Sequence, residues 1–237
     1  MTIYYKKIVA TLLFAFFLLS GTVNAQSWQW LKSAGTSAGG ELSRGACTDA
    51  AGNAYFCGNF ANGSITIGTF TLTNSGSNDI FVAKFDAAGT CLWAVKGGGA
   101  VSDQSYGIAT DGTSVYVTGS FAPPSATFGS ITITTNGAAS DGFVAKLDAA
   151  TGAYTWAVNF TNSTGGGDVG HAITLDGSGN PYICGNFTGT VNFGSAVYAA
   201  NGSNDFFVGK INPATGAWVW GATGGNTTGS DNGIGSS

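Results

Sequence analysis

The feature that most constrains this chain is that it repeats itself with a period near 63 residues. Trp30, Trp93, Trp156 and Trp220 recur at spacings of 63, 63 and 64. Lys84, Lys146 and Lys210 close Phe-Val-Ala-Lys, Phe-Val-Ala-Lys and Phe-Val-Gly-Lys, at spacings of 62 and 64. Tyr55, Tyr116 and Tyr182 open a third motif, each three residues ahead of Gly58, Gly119 or Gly185 and five ahead of Phe60, Phe121 or Phe187. Markers that keep one order over several periods define a module that buries its apolar faces against copies of itself.

Each unit reads as four short strands. The first two are typified by Gly107-Ile108-Ala109-Thr110 and Val115-Tyr116-Val117-Thr118-Gly119, and other units join them through Asp49-Ala50-Ala51-Gly52-Asn53 or Asp176-Gly177-Ser178-Gly179-Asn180. In such turns Asp caps its own backbone, and Gly or Asn takes positive φ. Phe143-Val144-Ala145-Lys146-Leu147-Asp148 is a third strand and Tyr154-Thr155-Trp156-Ala157-Val158 a fourth. These are β-branched and aromatic runs of strand length. The fourth strand is aromatic on one face and small and apolar on the other, so its sheet needs cover on both sides. Radial stacking supplies that cover, with Gly58, Gly119 and Gly185 expected to allow close approach between neighbouring sheets. Alternating segments at 66–73, 127–134 and 192–198 add a hairpin on the rim. The expected fold is therefore all-β: a β-propeller of about three four-stranded antiparallel blades with extra rim hairpins, in an incomplete ring.

The string Gly-Ile-Ala-x-Asp, Val-Tyr-Val-Thr-Gly-Ser-Phe, Asp-x-Phe-Val-Ala-Lys-x-Asp and Trp-Ala-Val, as it stands from Gly107 to Val158, resembles the "beta-propeller repeat" of secreted proteins from Bacteroidota-type bacteria. The resemblance covers nearly all of residues 28–235. It implies an exported or cell-surface propeller, often followed by a C-terminal sorting domain, which is not seen in this sequence. It carries over no catalytic residue and no ligand.

The N-terminus fits export. Lys6 and Lys7 precede an apolar run from Ile8 to Leu19, and Val23-Asn24-Ala25 offers a signal-peptidase site. Residues 1–25 are expected to be a cleaved signal peptide, the run being too short to span a membrane stably. Residues 26–237 would then be a partial propeller. It would open on a fourth-type strand at 28–32 and have its fourth repeat cut off after about residue 235. Further propeller repeats are thus expected partners, and a fragment with open blade faces is expected to self-associate. Removing Lys6 and Lys7 from the 8 basic residues leaves 6 against 12 acidic ones, a balance of −6 that disfavours nucleic acid.

Catalytic candidates are few. His171 is the only histidine and Glu41 the only glutamate. A triad of His171 with Asp168 or Asp176 has no nucleophile-elbow context, so catalytic and cofactor residues are expected to be none. Asp49, Asp111 and Asp176 are calcium candidates at the first turn, but each turn offers one carboxylate where calcium takes 6 to 8 oxygens, and Asx capping explains them as well. Asp79, Asp141 and Asp205 recur before the third strand. Lys84, Lys146 and Lys210 either line a central channel or, the favoured expectation, pair with a turn Asp of their own blade. Cys47 and Cys57 could be bridged after export or could, like Cys91 and Cys184, be small buried hydrophobes. The expected function is non-enzymatic extracellular binding, adhesion or surface display, with a glycan or protein as ligand. The alternative is a hydrolase or lyase acting on polysaccharide from the central funnel.

Overall fold

The computed structural model describes residues 29–35, 40–61, 63–135, 137–160, 167–227, 229 and 231. Two compact units divide the chain, Met1–Leu31 and Lys32–Ser237. The expected signal peptide and the end of the fourth repeat, 232–237, lie outside the described residues. Of the expected strand at 28–32, residues 29–32 are described and form no strand. The Trp-Gln-Trp-Leu alternation gives strand propensity, but so short a run becomes a strand only by pairing into a ladder.

The second unit is all-β. The first repeat gives β1 (Leu42–Thr48), β2 (Ala54–Ala61), β3 (Ser64–Ile67), β4 (Phe70–Thr73), β5 (Asn78–Phe85) and β6 (Cys91–Gly98). The second gives β7 (Gln104–Thr110), β8 (Ser114–Phe121), β9 (Ser125–Phe128), β10 (Ile131–Thr134), β11 (Asp141–Asp148) and β12 (Tyr154–Asn159). The third gives β13 (Val169–Leu175), β14 (Pro181–Phe187), β15 (Thr190–Phe193), β16 (Ala196–Ala199), β17 (Asp205–Ile211) and β18 (Trp218–Gly224). Each repeat builds one antiparallel meander, in the orders β1-β2-β5-β6, β7-β8-β11-β12 and β13-β14-β17-β18. The first strands lie side by side, β1 against β7 and β7 against β13. Glycine permits that approach: a Cβ on Gly107 would sit 2.9 Å from Ala172 Cα, and one on Gly45 3.0 Å from the Tyr106 carbonyl oxygen.

Gly58, Gly119 and Gly185 serve a different purpose from the one expected. A Cβ at each would lie 2.0 Å from a carbonyl of its own sheet, that of Leu42, Gln104 or Val169, and within 2.8 Å of Phe81, Phe143 or Phe207. These glycines stand opposite a register shift in the first strand, between Ser43 and Gly45, Ser105 and Gly107, or Gly170 and Ala172. They leave room for a bulge and for a phenyl ring of the same sheet.

One hairpin does more than decorate the rim. β9 pairs with β6 through Gly97↔Phe128 and Gly98↔Thr127, extending the first sheet to six strands. A Cβ on Gly97 would be 2.6 Å from the Phe128 ring. The third repeat's hairpin, β15–β16, remains a separate two-stranded sheet. There Phe160, not glycine, follows the fourth strand of the sheet before, and its ring packs on Phe207 and Trp218 at 5.1 and 5.8 Å.

Between sheets the contact is a two-donor clamp. Lys84 Nζ and Trp93 Nε1 both donate to the Ala149 carbonyl of the second sheet, at 2.9 and 3.2 Å. Lys146 Nζ and Trp156 Nε1 both donate to the Pro213 carbonyl of the third, again at 2.9 and 3.2 Å. The lysines therefore do not line a channel, and Lys84 and Lys146 do not pair with an aspartate of their own sheet. A carbonyl from the next sheet satisfies the ammonium while a tyrosine ring lies beneath it, Tyr55 at 5.1 Å and Tyr116 at 5.4 Å. Of these three lysines, Lys210 is the one that meets an aspartate of its own sheet, Asp176, at 3.5 Å.

Trp93 is 5% exposed, Trp156 half-buried and Trp220 42% exposed. Urea unfolding should rank them in that order. Trp93→Ala is expected to cost about 3–5 kcal/mol as a large core truncation, and Trp220→Ala about 1 kcal/mol or less.

Candidate functional site

A functional site in a repeat array is sought where equivalent positions carry different side chains on an unchanged frame. The bulge of the first strand is such a place. At the shifted register the residue is Arg44 in β1, Tyr106 in β7 and His171 in β13. A bulge turns its extra residue out of the ladder and re-aims the side chain. Because the three strands lie side by side, these side chains form a row. The Arg44 guanidinium carbon stands 5.2 Å from the centre of the Tyr106 ring, and the Tyr106 and His171 rings meet edge to face at 5.5 Å.

Neighbouring polar groups fix the row. Tyr106 Oη donates to Gln104 Oε1 at 2.6 Å. His171 Nε2 hydrogen-bonds Asn186 Oδ1, and Asn186 Nδ2 donates to Asn204 Oδ1 at 2.9 Å. Asn186 is buried, so the imidazole is oriented from behind while remaining half-exposed. Arg44 is exposed and Tyr106 half-exposed. The row offers one fixed positive charge, two ring faces and side-chain amides, which suits it to stacking and hydrogen bonding. His171 is here a positioned member of a surface row. Neither Arg44 nor Tyr106 stands out in the sequence, because only the bulge aligns them with His171.

The aspartates expected at the first turn are fully engaged as caps. Asp49 Oδ1 accepts the amides of Ala51 and Asn53 at 3.0 and 2.9 Å, and its Oδ2 accepts Asn53 Nδ2 and Tyr55 Oη at 2.7 and 3.0 Å. Asp111 Oδ1 accepts the amides of Thr113 and Ser114, and Asp176 Oδ1 those of Ser178 and Asn180. Partial burial raises the pKa of Asp49 and Asp111, yet these hydrogen bonds outweigh it and hold both carboxyls below their usual value. Asp176 is held well below the usual range, chiefly by the Asn180 amides. Each turn supplies a single carboxylate, and among the described residues no three His, Cys, Asp or Glu side chains gather as a metal cluster. Cys47 and Cys57 are free thiols; burial pushes them up to about 12 and about 11.

Asp79, Asp141 and Asp205 are all buried. Asp79 Oδ2 accepts the Ser75 amide at 2.8 Å and Lys96 Nζ at 3.2 Å. Asp103, equally buried, lies close by and accepts the amides of Gly99 and Ala122 at 2.6 and 3.0 Å. Burial, with a smaller push from Asp79, raises the Asp103 carboxyl to about 6 against the pull of those amides. A carboxyl raised on folding keeps a proton that the unfolded chain releases, so its contribution is complete below about pH 4 and falls away as pH rises through about 6. Urea unfolding should therefore show stability falling between about pH 4.5 and 7. In Asp103→Asn that slope should largely disappear.

No protein-family description and no curated protein sequence matches this chain. Among solved structures it is similar to a quinohemoprotein alcohol dehydrogenase from Pseudomonas putida HK5, with 13% identity and a TM-score of 0.38 over 77% of this chain. The chain spans 35% of that structure's length.

Proposed function

We propose that this chain is an exported, non-enzymatic binding scaffold, built from three blades of an incomplete β-propeller and presenting the Arg44–Tyr106–His171 row to an extracellular glycan. The observation that carries this reading is the row itself: three different side chains at one equivalent bulge, on strands whose other features repeat. A ring face stacks on the apolar face of a sugar, and the guanidinium and amides bind hydroxyl or carboxylate oxygens. Residues 1–25 fit the reading as a cleaved signal peptide. The aspartates that recur at the first turn serve as caps, and Lys84 and Lys146 serve as clamps between sheets.

A glycan array probed with the protein secreted from a bacterial host tests this. Binding to a subset of glycans is expected, weakened at least ~10-fold in Tyr106→Ala and in Arg44→Ala, as for truncation of an interface hot spot. Both variants should keep the wild-type unfolding midpoint within the range of surface substitutions. Release of shortened oligosaccharides from a bound polysaccharide would instead establish the hydrolase or lyase alternative.

A further inference from the structure

Among the described residues the clamp is built three times and filled twice. Lys Nζ stands 5.1, 5.4 and 5.2 Å from the centre of the Tyr55, Tyr116 and Tyr182 rings. The same tyrosines meet Trp93, Trp156 and Trp220 at 6.1, 6.1 and 6.0 Å. In the first two sheets both donors close on one turn carbonyl. In the third, Lys210 turns to Asp176 at 3.5 Å and Trp220 is exposed. Phe206, Val208 and Val219 are exposed beside it. Among the described residues, no turn carbonyl covers this socket.

The first sheet carries the matching plug. The turn between its third and fourth strands begins Asp86-Ala87, as the filled clamps are entered by Asp148-Ala149 and Asn212-Pro213. Its entry is built the same way, although the turn is one residue shorter, Gly89 standing three residues after Asp86 where Gly152 and Gly216 stand four after Asp148 and Asn212. The amide of Gly89 donates to the Asp86 carbonyl at 2.9 Å, that of Gly152 to Asp148 at 2.9 Å and that of Gly216 to Asn212 at 2.9 Å. The three glycines take φ of 80°, 73° and 73°. The side chains of Asp86, Asp148 and Asn212 each accept the amide two residues on, at 2.9, 3.1 and 2.8 Å. Ala149 lies buried beneath the first sheet, whereas Ala87 is exposed.

We infer that the Lys210–Trp220 socket binds the Asp86–Ala87 turn of a second copy of this chain, repeating the interface that already joins the first sheet to the second and the second to the third. The contact is head-to-tail, so it closes into a ring or propagates. Two copies closing on each other would make a ring of six four-stranded blades, within the range of about 4 to 8 in which propellers close. Ala172 replaces the glycine found at Gly45 and Gly107, so the first strands cannot approach as closely at the new junction and the outer turn carries the contact.

Sedimentation velocity across a concentration series tests the inference. The protein is expected to associate, and Lys210→Ala/Trp220→Ala and Ala87→Arg should each weaken association at least ~10-fold, since each removes one half of a buried hot spot. All the substituted side chains are exposed or half-exposed, so circular dichroism should show each variant folded. Mixing the two variants leaves one intact socket and one intact plug, and a one-junction dimer should reappear. Open-ended assemblies with the same dependence would support the socket with non-closing geometry. Association indifferent to these variants would overturn the inference. So would a monomer at every concentration.

Discussion

The interaction on which the other features depend is the pair of N–H donors that the first and second sheets each send to one carbonyl of the next. A lysine inside an apolar strand is costly, since desolvating an unpaired ammonium costs several kcal/mol. Here the tyrosine ring beneath it and the carbonyl above it offset that cost. A charge-assisted hydrogen bond contributes about 1.5–3 kcal/mol, and a desolvated cation–π contact about 2 kcal/mol. Both donors need the carbonyl in one position, so the clamp fixes spacing and register between sheets as well as adding stability. The glycine after it does the rest: a Cβ on Gly152 would meet the Trp93 ring at 2.8 Å, and one on Gly216 the Trp156 ring at 3.0 Å.

That outer clamp frees the first strands for another use. Held by the lysines and tryptophans behind them, β1, β7 and β13 can each give up regular pairing at one residue. The bulge costs a ladder hydrogen bond, and the glycine opposite it costs about 0.5–1 kcal/mol of backbone entropy. In return three side chains leave the sheet together. Repeated and variable residues are thus separated within each sheet, with the repeated ones on the second to fourth strands and the variable ones at the bulge of the first.

Much of this is legible in the sequence, because what repeats is what packs. The tryptophan, lysine and tyrosine markers give the four-strand meander of each repeat and the turns within it. The apolar character of both faces gives the near-continuous burial of β5, β8 and β11. Inter-sheet chemistry is less legible. Nothing at Lys84 indicates that its acceptor is a backbone carbonyl 65 residues away, since carbonyls leave no trace in residue identity. Gly58 reads as a site of sheet-to-sheet approach but makes room for a bulge and for Phe81 of its own sheet, and bulges have no residue signature beyond glycine. The pairing of β9 with β6 hinges on Gly97 standing where the next repeat has Phe160. Arg44 and Tyr106 are invisible for the converse reason: a site of unlike residues has no period.

The clamp itself can be observed by hydrogen exchange of the tryptophan indole N–H groups, followed by NMR at a concentration where the chain is monomeric. The account predicts that the Trp93 indole exchanges only through global unfolding, that Trp156 is protected to a lesser degree, and that Trp220 exchanges at close to the free rate. A Trp93 indole exchanging as fast as that of Trp220 would contradict the clamp as the bond between sheets.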